Sequence, residues 1–154
     1  MLKGRDGGPA PDRNEIERRL GASVDALGTS AWCAYELLNE KGRMRYLGPA
    51  FFTKFLYFAG KAVAMPCPAI VLDKRLAARM RWFWDRRRDE PYAAGGREPA
   101  GLWQGPRWST YRYRVYLAFL HRAAEQLSQA GPRWTADLVE RVLFQHDPGD
   151  VLLG

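Results

Sequence analysis

The stretch Tyr46-Leu47-Gly48-Pro49-Ala50-Phe51-Phe52-Thr53-Lys54-Phe55-Leu56-Tyr57-Phe58-Ala59 decides how this chain is read. Gly48-Pro49 ends a short connection, and a helix is expected from about Ala50 to Ala59, since proline is well placed at the start of a helix. On a helical wheel at roughly 100° per residue, Phe51, Phe55 and Phe58 share a face, with Phe52, Leu56 and Ala59 alongside. Lys54 falls at the edge of that arc, beside Phe58. Desolvation by surrounding rings would favour a neutral, nucleophilic amine. A snorkelling lysine, with its stem on phenylalanine and its head in water, fits the same position.

Nineteen residues beyond Lys54 stands Asp73. Between them, Met65-Pro66-Cys67-Pro68 cannot be helical, because each proline restricts itself and its predecessor. Ile70-Val71-Leu72 reads as a short extended apolar run. Asp73 then occupies the N-cap position of a helix reaching roughly Trp84. Capping is reason enough for an aspartate there. A carboxylate at a helix N-terminus is also favoured by the helix dipole, and can stabilise a developing cation nearby.

Working outward, the remaining chain is helical punctuation. Residues 1–11 are Gly/Pro-rich and expected to be disordered. Asp12 caps a short helix through Glu15, Ile16 and Leu20, and Gly21 and Gly28 bracket a weak segment around Val24 and Leu27. Thr29 or Ser30 caps a helix carrying Trp32, Tyr35, Leu37 and Leu38 that ends near Gly42. Residues 85–107 form a charged loop long enough to be functional. Ser109 or Thr110 opens a long helix to about Gln129, Gly131-Pro132 breaks it, and Thr135 caps a last helix through Leu138, Val142 and Leu143. No alternating strand pattern is convincing. The expected class is all-α, a compact orthogonal helical bundle, with residues 12–154 as one domain.

The net charge of +7 is unevenly spread. From Lys74 to Arg122 twelve Lys/Arg stand against four Asp/Glu, a balance of +8, so the remainder carries −1. A positive half on an otherwise neutral chain points to a polyanion. The excess of arginine over lysine, 19 to 5, could instead reflect coding bias. On the helix after Asp73, Leu76, Met80 and Phe83 form a core stripe. Arg75, Arg79, Trp82 and Arg86 gather on the other side, as phosphate contacts or as a solvated face. Trp103, Trp108 and Tyr111 lie among Arg107, Arg112 and Arg114, where rings can stack on an extruded base or anchor the core. Cys33 and Cys67 have no metal spacing and are not expected to pair in a reducing compartment. His121 and His146 have no ligand-like partners, and no phosphate-binding glycine loop occurs, so neither metal nor cofactor is expected. No run approaches the ~20 apolar residues needed to span a bilayer, and a cytoplasmic location is expected.

A helix, a connection containing Leu47-Gly48-Pro49, a lysine-bearing helix, and Val71-Leu72-Asp73 before another helix resemble the helix-hairpin-helix DNA glycosylases. The likeness is to the 8-oxoguanine glycosylase branch, including bacterial proteins with that fold. Lys54 to Ala59 is similar to the lysine-bearing helix of archaeal members, and Ile70 to Asp73 looks like the segment supplying the family's catalytic aspartate. The likeness covers about residues 30–85 and can extend to the C-terminal helices. It implies a helix-hairpin-helix-like motif and a double-stranded DNA partner carrying a damaged base, met by a monomer close to the bacterial nucleoid. It also implies that Lys54 attacks the sugar C1′ of a flipped nucleotide, giving a Schiff base with optional strand cleavage, and that Asp73 assists. Gly48 and the amides beside it would hold a phosphate, and Arg75, Arg79, Arg86 and Arg107 would add DNA contacts. Trp103, Trp108 and Tyr111 are candidates for the base pocket. Members usually carry a further N-terminal helical part, so by this resemblance a truncated, minimal or degenerate version of the domain is expected. A catalytically inactive DNA-binding module on the same scaffold and a helical protein–protein interaction domain remain alternatives.

Overall fold

Side-chain caps set where most of the helices begin. The computed structural model describes residues 12–44, 47–63, 65, 67–86 and 108–146, with side chains for all of these except 84–86 and 130. The described elements are helical: α1 (Arg13–Leu27), α2 (Ala31–Glu36), α3 (Pro49–Ala62), α4 (Lys74–Arg86), α5 (Thr110–Ala130) and α6 (Ala136–Gln145). Asp12 caps α1 by accepting from the Glu15 amide at 2.8 Å. Ser30 caps α2 through the Cys33 amide at 3.2 Å, and Ser109 caps α5 through the Arg112 amide at 3.1 Å. Each satisfies a donor that the first helical turn leaves orphaned. Thr135 precedes α6 without such a bond; its hydroxyl goes to Asp137 instead.

The all-α expectation holds, with two local corrections. Residues 13–27 form one 15-residue helix that runs straight through Gly21, rather than a short helix and a separate weak segment. Glu15 explains part of this: it binds Arg18 at 2.8 Å and Arg19 at 2.6 Å, bracing the first turns. Arg19 also reaches the Arg43 carbonyl at 3.0 Å, so α1 is tied to the connection before α3. Gly21 is exposed, and a Cβ there would meet nothing within 4 Å. Gly21→Ala is therefore expected to stabilise the protein by roughly 0.5–1 kcal/mol, raising Tm by roughly 1–4 °C. A thermal unfolding scan checks this, and an unchanged or lower Tm contradicts it.

The second correction is that α2 does not stay α-helical to Gly42. It widens into a π-helical turn over Leu37–Lys41. The wider turn aims Asn39 at the start of α5, where its amide donates to the Trp108 carbonyl at 2.7 Å beside the Tyr35 hydroxyl at 3.0 Å. Glu40 accepts from the Thr110 hydroxyl at 2.8 Å. A Cβ at Gly42 would lie 2.7 Å from the Leu37 carbonyl oxygen, so glycine closes the turn.

Within the bundle α1 packs on α2 and α3, α2 also on α3 and α5, and α6 against α5 and α4. The centre is aromatic. Tyr35 stacks on Tyr113 with centroids 4.2 Å apart and meets Phe52 edge-on at 5.0 Å. Leu76 and Met80 of α4 are buried, and Phe83 meets Phe119 of α5 at 5.1 Å, which is the stripe read from the sequence. Cys33 and Cys67 are both free. No described helix is long and apolar enough to cross a membrane. Residues 1–11, Trp103, Arg107, most of the 85–107 loop and the side chain of Arg86 lie outside the described residues. So do Arg45 and Tyr46, inside the expected hairpin.

Candidate active site

Helix α3 turns a different face to the core than its wheel suggests. Phe52, Thr53, Leu56 and Gly60 are buried, whereas Phe51 and Phe58 are 65% and 69% exposed. Lys54 is exposed on the outward side, one turn from each of those rings. The enclosure of its amine by aromatic rings is therefore not present. The core takes a mixed stripe because Thr53 hides its hydroxyl in hydrogen bonds, leaving two phenylalanines outside.

The extended run Ala69–Leu72 crosses beneath α3 and is almost wholly buried. Buried carbonyls of such a segment need partners, and α5 provides them. Tyr113 donates to the Ile70 carbonyl at 3.0 Å, and Tyr116 to the Val71 carbonyl at 2.8 Å. Burial pushes both phenols far above their ordinary range, so they remain protonated donors. The run delivers Asp73 to the start of α4. There its Oδ1 accepts from the Arg75 and Leu76 amides, each at 2.9 Å, as the N-cap reading requires.

Lys54 and Asp73 line the same hollow, of about 250 Å³. The remaining wall is Val71 together with Glu140, Arg141, Phe144 and Gln145 of α6. No ion pair joins Lys54 to Asp73. The volume lies below the ~300–1,000 Å³ of drug-sized sites, which suits one ring system rather than an extended ligand. Arg75 lies over the Phe144 ring at 4.8 Å and so belongs to the rim. At the far end of α6, Asp137 accepts from the Tyr57 hydroxyl at 3.2 Å and faces the Lys61 amine at 3.6 Å. That clamp fixes α6 against α3. Burial alone would raise the Asp137 carboxyl, but hydrogen bonds from Thr135 and Tyr57 and the charge of Lys61 outweigh it and hold it below the ordinary carboxylate value.

A family model described as "Putative 8-oxoguanine DNA glycosylase OGG-like protein" matches residues 8–144. The chain belongs to this OGG-like family. No curated protein and no solved structure matches it at a significant level.

The OGG-like chain carries an acid in its hollow that sequence reasoning passed over. Burial, then the charges of Asp73 and Asp137, push the Glu140 carboxyl up to about 7. In the sequence Glu140 looks like one more polar residue on an amphipathic helix. The only available signal was its spacing, one turn from Asp137 and one from Phe144. Around it stand Asp73, Asp137, Lys54, Arg141 and the buried Tyr116 phenol. Below about 4.5 the group is protonated in folded and unfolded chains alike. Between 4.5 and 7 the folded OGG-like protein keeps a proton that the unfolded chain releases, and above 7 it must hold the charge against burial. Stability from this group is thus lost as pH rises through that window. Glu140→Gln is expected to raise Tm at about pH 8 and to leave it unchanged near pH 4, read by calorimetry at both pH values.

Of the described sequence candidates, Trp108, Tyr111, Arg79 and Gly48 do not line this hollow. Trp108 is half-buried beneath the Arg112 guanidinium, 5.0 Å from its ring centroid, with its carbonyl tied to Tyr35 and Asn39. Tyr111 is 54% exposed and does not line it. Arg79 is half-buried on α4 rather than on a fully solvated face. Gly48 caps α3 without a side chain, and a Cβ there would meet nothing within 4 Å. Two of the amides beside it, Phe51 and Phe52, donate to the Gly48 carbonyl, and Pro49 brings none. Among the described residues no group of three or more His, Cys, Asp or Glu is arranged to hold a metal ion.

Proposed function

We propose that this OGG-like protein is a lysine-dependent DNA glycosylase acting on duplex DNA that carries a damaged base, 8-oxoguanine being the substrate its family description names. The observation that carries this proposal is the shared hollow: an amine on α3 and a carboxylate opening α4, 19 residues apart in sequence, wall one space. A base excised by such a pair must first leave the stack, because its sugar is unreachable inside the duplex. Lys54 Nζ then attacks C1′. The new C–N bond forms as the bond from C1′ to the base breaks, and the base leaves with the electron pair and collects a proton. Loss of the amine proton and opening of the sugar ring give a Schiff base, from which β-elimination can cut the strand. The Asp73 carboxylate opposes the positive charge that grows on the sugar as the base departs.

Other residues support this use of the space. Glu140, titrating near neutrality, offers either a donor or an acceptor to a base edge, and Phe144, with Arg75 over its ring, contributes apolar wall beside it. Phe51 and Phe58 flank Lys54 on the outward face and offer apolar contact to splayed DNA. Arg75 at the rim offers a phosphate contact.

The test is incubation with a duplex containing one 8-oxoguanine, in the presence of borohydride, which reduces a Schiff base to a stable amine. A covalent protein–DNA complex is expected. A protein that binds this duplex and yields no complex overturns the catalytic claim and leaves a DNA-binding module.

A further inference from the structure

Thr53 is fully buried, at 0% exposure, in the apolar stripe that α3 turns inward. A threonine there needs a reason, because a buried hydroxyl without partners is costly and valine would fill the same volume. Its hydroxyl makes two kinds of bond. It donates to the Pro49 carbonyl one turn back, at 2.6 Å, which only satisfies its own proton. It also accepts from the Leu72 amide at 3.1 Å, and its oxygen lies 3.3 Å from the Leu72 carbonyl. The Leu72 amide lies outside any helix, so this hydroxyl is what answers it.

The two bonded residues are the chain neighbours of Lys54 and Asp73. A link between residues 53 and 72 therefore sets the register of α3 against the extended run, and with it the spacing of the next two side chains. Tyr113 and Tyr116 hold the two preceding carbonyls. Three consecutive residues of the run, 70, 71 and 72, are thus each gripped by a buried hydroxyl from α3 or α5. The tyrosines fix its depth, and Thr53 supplies a hydrogen bond that ties it to the helix bearing the lysine.

We infer that Thr53 is a positioning residue, whose hydroxyl holds Leu72 so that the Asp73 carboxylate and the Lys54 amine stand over one hollow. Its catalytic consequence rests on the glycosylase reading above. Misplacement of a reacting pair by about 1 Å can cost on the order of 100-fold in rate, whereas DNA affinity depends on surfaces that this bond does not touch.

The experiment compares wild type, Thr53→Val and Thr53→Ser. Single-turnover borohydride capture, binding to the same 8-oxoguanine duplex, and Tm are measured for each. Thr53→Val is expected to bind within about twofold of wild type but to capture roughly 10- to 100-fold more slowly, and Thr53→Ser to recover most of the rate. Capture by Thr53→Val at the wild-type rate overturns the inference. So does a Thr53→Ser protein as slow as Thr53→Val, since the methyl group would then be what matters. Amide hydrogen exchange on the wild-type protein gives a reading that needs neither a folded variant nor activity. The Leu72 amide should exchange as slowly as the helix-core amides of α3, and exchange within minutes overturns the pin. Failure of the wild-type protein to form any covalent complex would strike the glycosylase reading, and the pin would then be judged by the exchange result.

Discussion

Lys54→Gln is expected to abolish covalent capture of 8-oxoguanine DNA, a loss of at least about 10³-fold. An amide cannot form a Schiff base, so no residual path runs through this position. The rest of the protein should scarcely register the change. Lys54 is exposed and makes no ion pair with a described residue, so stability should stay within about 0.5 kcal/mol. DNA affinity should fall only by the loss of one cation, seen as a decrease of roughly one in the salt dependence of binding. The split between a collapsed capture rate and nearly intact binding distinguishes a nucleophile from a phosphate contact. A Lys54→Gln protein that still captures DNA would assign the reaction to another amine.

Asp73 requires two variants, because it has a structural duty that a single substitution would confuse with a chemical one. Its Oδ1 accepts from two backbone amides of α4. Asparagine keeps an Oδ1 in that place and loses only the charge. Asp73→Asn should therefore leave Tm nearly unchanged while capture slows by roughly 10²–10³-fold, a range typical of losing a preorganised electrostatic group. Alanine loses the cap as well, and Asp73→Ala should cost about 1–2 kcal/mol of stability in addition. Paired measurement of Tm and single-turnover rate separates the two duties. If Asp73→Asn turns over at the wild-type rate, the residue is a helix cap and nothing more.

The parts of the fold that were legible beforehand depend on local chemistry. Ser30, Ser109 and Asp73 cap because their side chains reach amides three residues on, and the Leu76–Met80–Phe83 stripe follows from helical spacing. What escaped depends on partners distant in sequence. Gly21 sits within a helix because Glu15 and the contacts of α1 with α2 and α3 outweigh one weak residue. The π-turn exists to bring Asn39 to the Trp108 carbonyl, a partner 69 residues away. The inward face of α3 was misjudged because hydrophobicity alone ranks Phe51 and Phe58 above Thr53, and only the Leu72 amide makes the threonine welcome inside. Lys54 and Asp73 could be singled out from the chain because their residue types and the elements around them were recognisable. The wall they face could not: Glu140 and Phe144 acquire their place from the Tyr57–Asp137–Lys61 clamp. Trp108 was open between two readings. Aromatic residues among arginines can stack on a base or anchor the core; the Trp108 ring lies beneath Arg112, and its carbonyl accepts from Tyr35 on α2 and Asn39 in the π-turn.

The hydroxyl bonds around the Ile70–Leu72 run span 19, 43 and 45 residues, and the Tyr57–Asp137 bond spans 80. Contacts of such long range form slowly, because chain loops must close before they are rewarded. The helices can therefore be in place while the hollow is still unmade, and a fragment that stops before α5 would keep both reactive side chains without the frame that aims them. If Lys54 and Asp73 act as proposed, their competence arrives only with the last docking event, and a nascent or partly unfolded copy would meet DNA without the means to cut into it.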